Sequence, residues 1–411
     1  MVDEALARVE RAARESYGRL LAFLAARSRD IAAAEDALSD AFGAALSTWP
    51  RSGVPDKPEA WLLVAARRRL IDAARRRQVH RQSVPALIAA AEEASERSAG
   101  PDGLGDERLK LLFISAHPEI DAALRTPLML QTILRLDATR IASAFCVSPA
   151  AMARRLSRAK NRIRGAGIPF EVPAPDELAP RLDAVLEAIY AAYGSGWDDV
   201  AGDDPRRSGL PEEALHLGRL VVSLLPDEPE ARGLLALMLH CEARRAARRG
   251  TDGAFVPLSE QDCSLWSPAL CEEAEHELAY AAEAGRIGRF QLEAAIQSAH
   301  ARRAVTGSTD WEAVALLYEG LVLLAPTLGA QVGRAAAIAE ARGAPAGLAL
   351  LEKIDIQATR SYQPYWALAA HLHARLGHTT MAGEAYQRAI GLCDDAAMRA
   401  FLRRRAETVM K

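Results

Sequence analysis

The sequence predicts an all-α protein of more than one domain, and three observations carry that prediction. Alanine, leucine, arginine and glutamate dominate, while aromatic residues make up only 5% of the chain, a balance that favours helix formers. No long run alternates β-branched with polar residues, so the period of a half-buried strand is missing. At 411 residues the chain exceeds one ordinary core, and roughly 100 to 200 residues per domain implies about two to four domains.

The first helical block runs from about Asp3 to Gln82. It is broken at Trp49 to Pro58, where WPRSGVPDKP brings three prolines and a glycine into ten residues, and its two halves are expected to fold back on each other. Ser95 to Asp106, SERSAGPDGLGD, has the Gly, Ser, Pro and Asp composition of a flexible connection. A second block spans about Glu107 to Gly165 and is stopped by Gly165, Gly167 and Pro169.

From Leu178 onward the pattern is helix, short turn, helix, with breaks at Gly194 to Pro211, Pro226 to Pro229, Gly250 to Gly253, Gly285, Gly307 and Gly343. Within this array Tyr365 to Leu392 holds two helices with small residues at Ala369 and Ala385, followed by Tyr386 and Ala389, as in one TPR-like unit. The expected division is therefore a domain over 1–82, a linker over 83–103, a domain over 104–169 and a TPR-like array over 176–411.

The formal net charge of -3 hides an asymmetry. Arg67 to Arg81 and Pro149 to Arg164 are densely basic, while the chain after Asp176 is acid-rich, so nucleic acid is a natural partner for the first half alone. No run of about 18 apolar residues could span a bilayer, and the N-terminus carries no apolar leader with a cleavage site. A cytoplasmic protein without a membrane partner is expected. The five cysteines, Cys146, Cys241, Cys263, Cys271 and Cys393, have no CxxC or Cys/His spacing, so neither disulfide nor metal is expected.

The most specific local signal is Leu136 to Arg164. Ile141, Ala142 and Phe145 share one face of a short helix, a turn follows at Cys146 and Val147, and Ser148 then Pro149 form a cap and first-turn proline for a second helix. This is a helix-turn-helix pattern. Met152, Leu156, Ala159 and Ile163 make an apolar stripe on the second helix. Its N-terminal residues Ala150, Ala151, Ala153 and Arg154 are candidates for base edges in a major groove, and Arg155, Arg158 and Lys160 for phosphates. Alone, the same helix also reads as an amphipathic helix with a solvated basic face.

A second signal is Pro58 to Arg77, PEAWLLVAARRRLIDAARRR. Leu62, Ala66, Leu70 and Ala73 can face a core, while Trp61 and the arginines, Arg67, Arg68, Arg75 and Arg76 among them, can hold a DNA backbone and meet unstacked bases. A third is Ala34 to Trp49, where Asp36 and Asp40 lie four residues apart on one face. Like charges at that spacing cost helix stability, so the face suggests a cationic partner. Each of these two is also compatible with solvated charge.

Together the three signals resemble the extracytoplasmic-function sigma factors of bacterial RNA polymerase. The resemblance implies two small helical sigma domains, a region-two bundle and a region-four helix-turn-helix. AEDALSDAFGAAL resembles the region-two helix that docks on the β′ clamp helices of the polymerase core, which makes Asp36, Asp40 and Phe42 expected core contacts. PEAWLLVAARRRLIDAARRR resembles the helix that recognises and melts the minus-ten element of promoter DNA, with Trp61, Leu62, Ala66, Arg67, Ile71, Asp72, Arg75 and Arg76 standing in its pattern. The helix-turn-helix resembles region four, which reads the minus-thirty-five element and touches the β flap.

WPRSGVPDKPEAWL, DERLKLLFISAHPEI, MARRLSRAKNRIRGAGIPFEVP and RLDAVLEAIYAAYGSGW narrow the resemblance to the subgroup with a C-terminal TPR-like extension. The resemblance implies that this extension contacts the sigma domains and regulates or supports their activity. Two places depart from the subgroup: Ser115-Ala116 stands where cysteines are common, and LSEQDCSLWS, Leu258 to Ser267, has Cys263 where an arginine is expected. A helix-turn-helix regulator with a TPR sensor, acting without replacing sigma, is the alternative, and it leaves the first 82 residues unexplained. His117 reads as a structural residue at a helix end. No Ser/His/Asp set, phosphate-binding glycine loop or supported carboxylate pair is present, so neither enzymatic activity nor a cofactor is expected.

Overall fold

A computed structural model describes residues 2–78, 107–133, 136–145, 147–197, 210–393 and 395–410. The expected linker over 83–103 lies outside the described residues, as does Cys146. Every regular element among the described residues is helical, apart from one isolated bridge between Arg249 and Phe255. The chain divides into two compact units, Met1–Ser195 and Gly196–Lys411. Both sequence blocks share the first unit.

The first unit opens with three long helices, α1 (Val2–Ser28), α2 (Ile31–Ser52) and α3 (Pro58–Gln78), which pack pairwise on one another. Asp30 caps α2 by accepting from the Ala33 amide at 3.1 Å. The break between α2 and α3 is shorter than WPRSGVPDKP implied. The helix continues through Trp49 and Pro50 to Ser52 and stops at Gly53, whose φ of 86° only glycine adopts freely. Pro50 is tolerated because its fixed φ suits a helix and the amide it lacks costs one bond in the last turn, while the neighbouring Trp49 is buried. Pro58 then serves as a first-turn residue of α3.

The second block contributes α4 (Arg108–Ser115), α5 (Ala122–Thr132), α6 (Ala138–Ala144) and α7 (Pro149–Gly165), and α8 (Pro175–Trp197) follows. Its core is set by Leu111, Leu112, Phe113 and Ile114 of α4 and Leu128 and Met129 of α5, all buried. The two blocks meet where α1 packs on α4 and α5 and where α2 packs on α7. Gly18 makes the first contact possible, because a Cβ there would lie 2.3 Å from the Ile133 carbonyl oxygen. Arg181 of α8 donates to the Phe113 carbonyl at 3.3 Å, which ties the start of that helix to the second block.

The second unit comprises α9 (Leu210–Leu224), α10 (Pro229–Ala243), α11 (Pro268–Glu283), α12 (Arg289–Ala301), α13 (Arg303–Thr306), α14 (Trp311–Leu324), α15 (Leu328–Arg342), α16 (Ala344–Leu351), α17 (Ile356–Thr359), α18 (Gln363–Arg375), α19 (Thr379–Gly391) and α20 (Ala396–Met410). Successive helices pack in order along the chain, α14 on α15, α15 on α16, α18 on α19 and α19 on α20. Ala369, Ala385, Tyr386 and Ala389, the small and aromatic positions singled out above, are buried in one cluster with Leu372 and Leu402. Small side chains there let α18 and α19 approach closely. No helix among the described residues is long and apolar enough to cross a membrane.

Candidate nucleic-acid interface

The basic helix α7 is positioned by its own cap and stripe. Ser148 accepts from the Ala151 amide at 3.3 Å and Pro149 occupies the first turn. Met152, Leu156, Ala159 and Ile163 are all buried, so one face is committed to the core and the rest of the helix projects outward.

That outward surface has two halves. In the N-terminal half Ala150, Ala153, Arg154, Arg155 and Arg158 are exposed and Ala151 is half-buried. None of these three arginines pairs with a carboxylate among the described residues. In the C-terminal half every cation has a partner: Lys160 donates to Glu35 of α2, Arg162 pairs with Glu119, and Arg164 pairs with Asp30 at 3.1 Å. Lys160 is therefore withdrawn from the expected phosphate-binding set in this conformation. Its position beside Ala159 and one turn after Leu156 places it at the edge of the buried stripe, where a long stem is covered and the ammonium is directed to a nearby acid. The pairing acids Asp30, Glu35 and Glu119 were not singled out by the sequence.

On α2, Asp36 and Asp40 are exposed on the outer side. Asp40 approaches Arg69 of α3 at 4.0 Å, both side chains being more than half exposed, a geometry of little energetic weight. Phe42 is elsewhere. It is 3% exposed and stacks on Tyr17 with ring centres 6.3 Å apart, so the expectation that it contacts a partner is corrected: its side chain is core. The signal was present, since Leu38, Phe42, Ala45 and Trp49 fall at i, i+4, i+7 and i+11, all buried.

Helix α3 turns Leu62, Leu63 and Ala66 into the core, with Leu70 and Ala73 half-buried. Glu59 in its first turn accepts from Ser16 and Arg19, which holds α3 to α1. Trp61 is half-buried and meets Trp49 edge-on, with centroids 5.5 Å apart and planes at 70°, so one side of the indole is fixed by packing. Arg68 is exposed and Arg67 half-buried, while the side chains of Arg75 and Arg76 lie outside the described residues. Burial, reinforced by the charge of Arg67, pushes the Arg27 guanidinium below its ordinary pKa.

His117 follows α4, and its Nδ1 accepts from the Glu119 amide at 3.1 Å. Burial and the Arg181 charge lower its pKa. This is the work of a turn-forming side chain. Among the described residues no group of three or more histidine, cysteine or acidic side chains has the arrangement of a metal site.

Two family models match the chain: sigma-70 region 2 over residues 12–79, and a family of unknown function (DUF6596) over residues 181–282. The uncharacterized protein R00370 of Rhizobium meliloti (strain 1021) is 36% identical over 393 residues, covering 95% of this chain and 92% of that protein. No solved structure matches the chain. Region 2 spans α2 and α3, the helices carrying Asp36, Asp40, Trp61 and the arginines, and it supports a sigma-factor-like role in transcription initiation with RNA polymerase core as partner. The chain belongs to the same family as the Rhizobium meliloti protein, and it carries a sigma-70 region 2 domain with the domain of unknown function behind it.

Proposed function

We propose that this chain is a bacterial sigma factor of the extracytoplasmic-function type, acting in the cytoplasm and catalysing no reaction itself. The observation that carries the proposal is the region 2 match over residues 12–79, which takes in the acidic helix and the arginine helix together. The exposed acids Asp36 and Asp40 of α2 meet the β′ clamp helices of core polymerase. Trp61 and the arginines of α3 take up the minus-ten element, with melted bases stacking against aromatic surface and phosphates neutralised by cations.

In the same proposal α6 and α7 form the helix-turn-helix of region four, with its partner the β flap. Ala150, Ala151, Ala153 and Arg154 meet base edges of the minus-thirty-five element, and Arg155 and Arg158 meet phosphates. Their exposure and lack of carboxylate partners among the described residues support that assignment. Lys160 joins them only after leaving Glu35, so promoter engagement by the whole helix requires α7 to separate from α2. The C-terminal helices act as a TPR-like array that contacts the sigma domains and regulates or supports them.

In vitro transcription with purified core polymerase and the promoter of the protein's own operon tests the proposal. The full-length chain is compared with a truncation ending at Ser195, the end of the first unit. Specific initiation by the full-length chain is expected, and the truncation then shows whether the extension restrains or is required. Binding of the same duplex without polymerase, together with no initiation, would replace the sigma reading with that of a conventional regulator.

A further inference from the structure

The second unit contains a cavity of about 650 Å³ whose chemistry the transcription reading does not use. Its walls come from separate elements: Glu260 from the short turn Leu258–Glu260, His300 from the end of α12, Arg303 from α13, Trp311 from the start of α14, Arg375 from the end of α18 and Arg405 from α20. The volume lies within the usual range of small-molecule sites. The turn belongs to LSEQDCSLWS, the segment whose Cys263 departs from the expected pattern.

Charge decides what such a cavity accepts. Arg405 pairs with Glu260 and Arg375 with Glu340, each at 2.5 Å, and the side chains of both pairs remain about one-third to one-half exposed. Ion pairs of that exposure are worth little, so exchanging either carboxylate for another oxyanion costs little. Arg303 donates instead to the Ser259 and Gln261 carbonyls at 2.8 and 2.9 Å, and its guanidinium lies 5.3 Å from the Trp266 ring centre. No carboxylate pairs with Arg303 among the described residues. Three arginines thus face two glutamates, leaving an excess of positive charge.

Neither histidine of the wall adds to that excess, since burial lowers the pKa of His371 as well. Burial, with the charges of Arg244 and Arg303, holds His300 at about 4, so its imidazole is neutral at physiological pH. Its ring meets Trp311 edge-on with centroids 5.4 Å apart. A neutral imidazole beside an indole is a platform for a planar apolar group, while the guanidiniums are forks matched to carboxylate or phosphate.

We propose that this cavity binds a small organic anion, one carboxylate or phosphate group attached to a planar ring. The oxyanion engages Arg303 and Arg405, displacing Glu260, and the ring lies against Trp311 and His300. The proposal does not rest on the transcription reading, since it concerns binding by the second unit alone.

Calorimetric titration of the full-length chain with phenyl phosphate, benzoate and inorganic phosphate tests it. Phenyl phosphate and benzoate are expected to bind, and inorganic phosphate, lacking the ring, more weakly. Glu260→Gln frees Arg405 from its carboxylate and is expected to tighten binding several-fold, a gain that misfolding cannot produce. Arg303→Gln is expected to weaken it by roughly tenfold or more, the loss of a charge-assisted contact. Should Arg303→Gln shift the urea midpoint, Arg405→Gln, which holds no loop carbonyl, takes its place with the same expected loss. Absence of binding by both aromatic anions, or affinities unmoved or lowered in Glu260→Gln, overturns the proposal. Tight binding of a peptide ending in consecutive aspartates, with no response to phenyl phosphate, also overturns it and assigns the cavity to a protein segment.

Discussion

Lys160 of α7 donates to the Glu35 carboxylate of α2, joining the basic helix of one sequence block to the acidic helix of the other. Only 9% and 16% of the two side chains remain exposed. Burial pushes the Glu35 carboxyl above its ordinary pKa even though Lys160 pulls it back. Removing one member of a buried pair strands the other charge, whereas removing both in favour of apolar side chains costs little. Glu35→Gln is therefore expected to lower the urea stability of the first unit by about 3 to 5 kcal/mol. The double variant Glu35→Leu, Lys160→Met should recover most of that loss. Equal destabilisation in the single and double variants would mean that the pair contributes nothing as a pair.

Arg155 and Arg158 make the opposite case, because both are exposed and no carboxylate pairs with either among the described residues. Their removal should leave the fold unchanged and act through DNA alone. Each of Arg155→Ala and Arg158→Ala is expected to reduce the slope of log affinity against log salt by about 0.9 on promoter duplex bound with core polymerase. The urea midpoints should match the parent chain. Unchanged slopes would return these arginines to the status of a solvated face.

Two helical glycines separate packing from propensity. Gly18 lies against the Ile133 carbonyl, while nothing stands within 4 Å of a Cβ at Gly43. Alanine is the better helix former by up to about 1 kcal/mol. Gly43→Ala should stabilise the first unit by up to about that amount, whereas Gly18→Ala should destabilise it by roughly 1 to 3 kcal/mol as the two blocks are forced apart. Thermal unfolding monitored by circular dichroism distinguishes the signs, and a stabilising Gly18→Ala would show that the junction yields freely.

The all-helical class and the buried stripe of α7 were legible because a 3.6-residue period leaves a mark in sequence that local chemistry alone can write. The cap at Ser148 and the stops at Gly285 and Gly307, with φ of 64° and 77°, belong to the same local grammar. Apart from Phe42, what escaped was decided by partners distant in sequence. Phe42 was assigned to a surface by resemblance, although its spacing from Leu38 and Trp49 already put it on the buried face. Lys160 looked like one more cation of a basic run, because nothing local announces Glu35, which lies 125 residues away. Pro50 was read as a break because the packing of Trp49, which holds that last turn, is a tertiary fact.

The second unit carries its own acid sensitivity in His240 and His300, each held at about 4 when folded against an ordinary 6.5. Burial is the main cause in both, opposed at His240 by the Glu275 charge and reinforced at His300 by Arg244 and Arg303. Between those two pH values the unfolded chain binds more protons than the folded one, so the stabilisation from a neutral buried ring is fully present above pH 6.5 and is lost as pH falls towards 4. A tenfold change in proton affinity between the folded and unfolded chain is worth about 1.4 kcal/mol, which puts the loss on the order of 2 kcal/mol per histidine on going from pH 6.5 to 5. Urea denaturation of the full-length chain at pH 7 and pH 5 should show this drop. His300→Phe or His240→Leu, each removing one titrating ring, should flatten the pH dependence whatever it does to stability at pH 7, with the remainder carried by the other ring and by His117, His371 and His373, which burial also holds low. A slope unchanged in both variants would assign the acid sensitivity to groups other than these two rings.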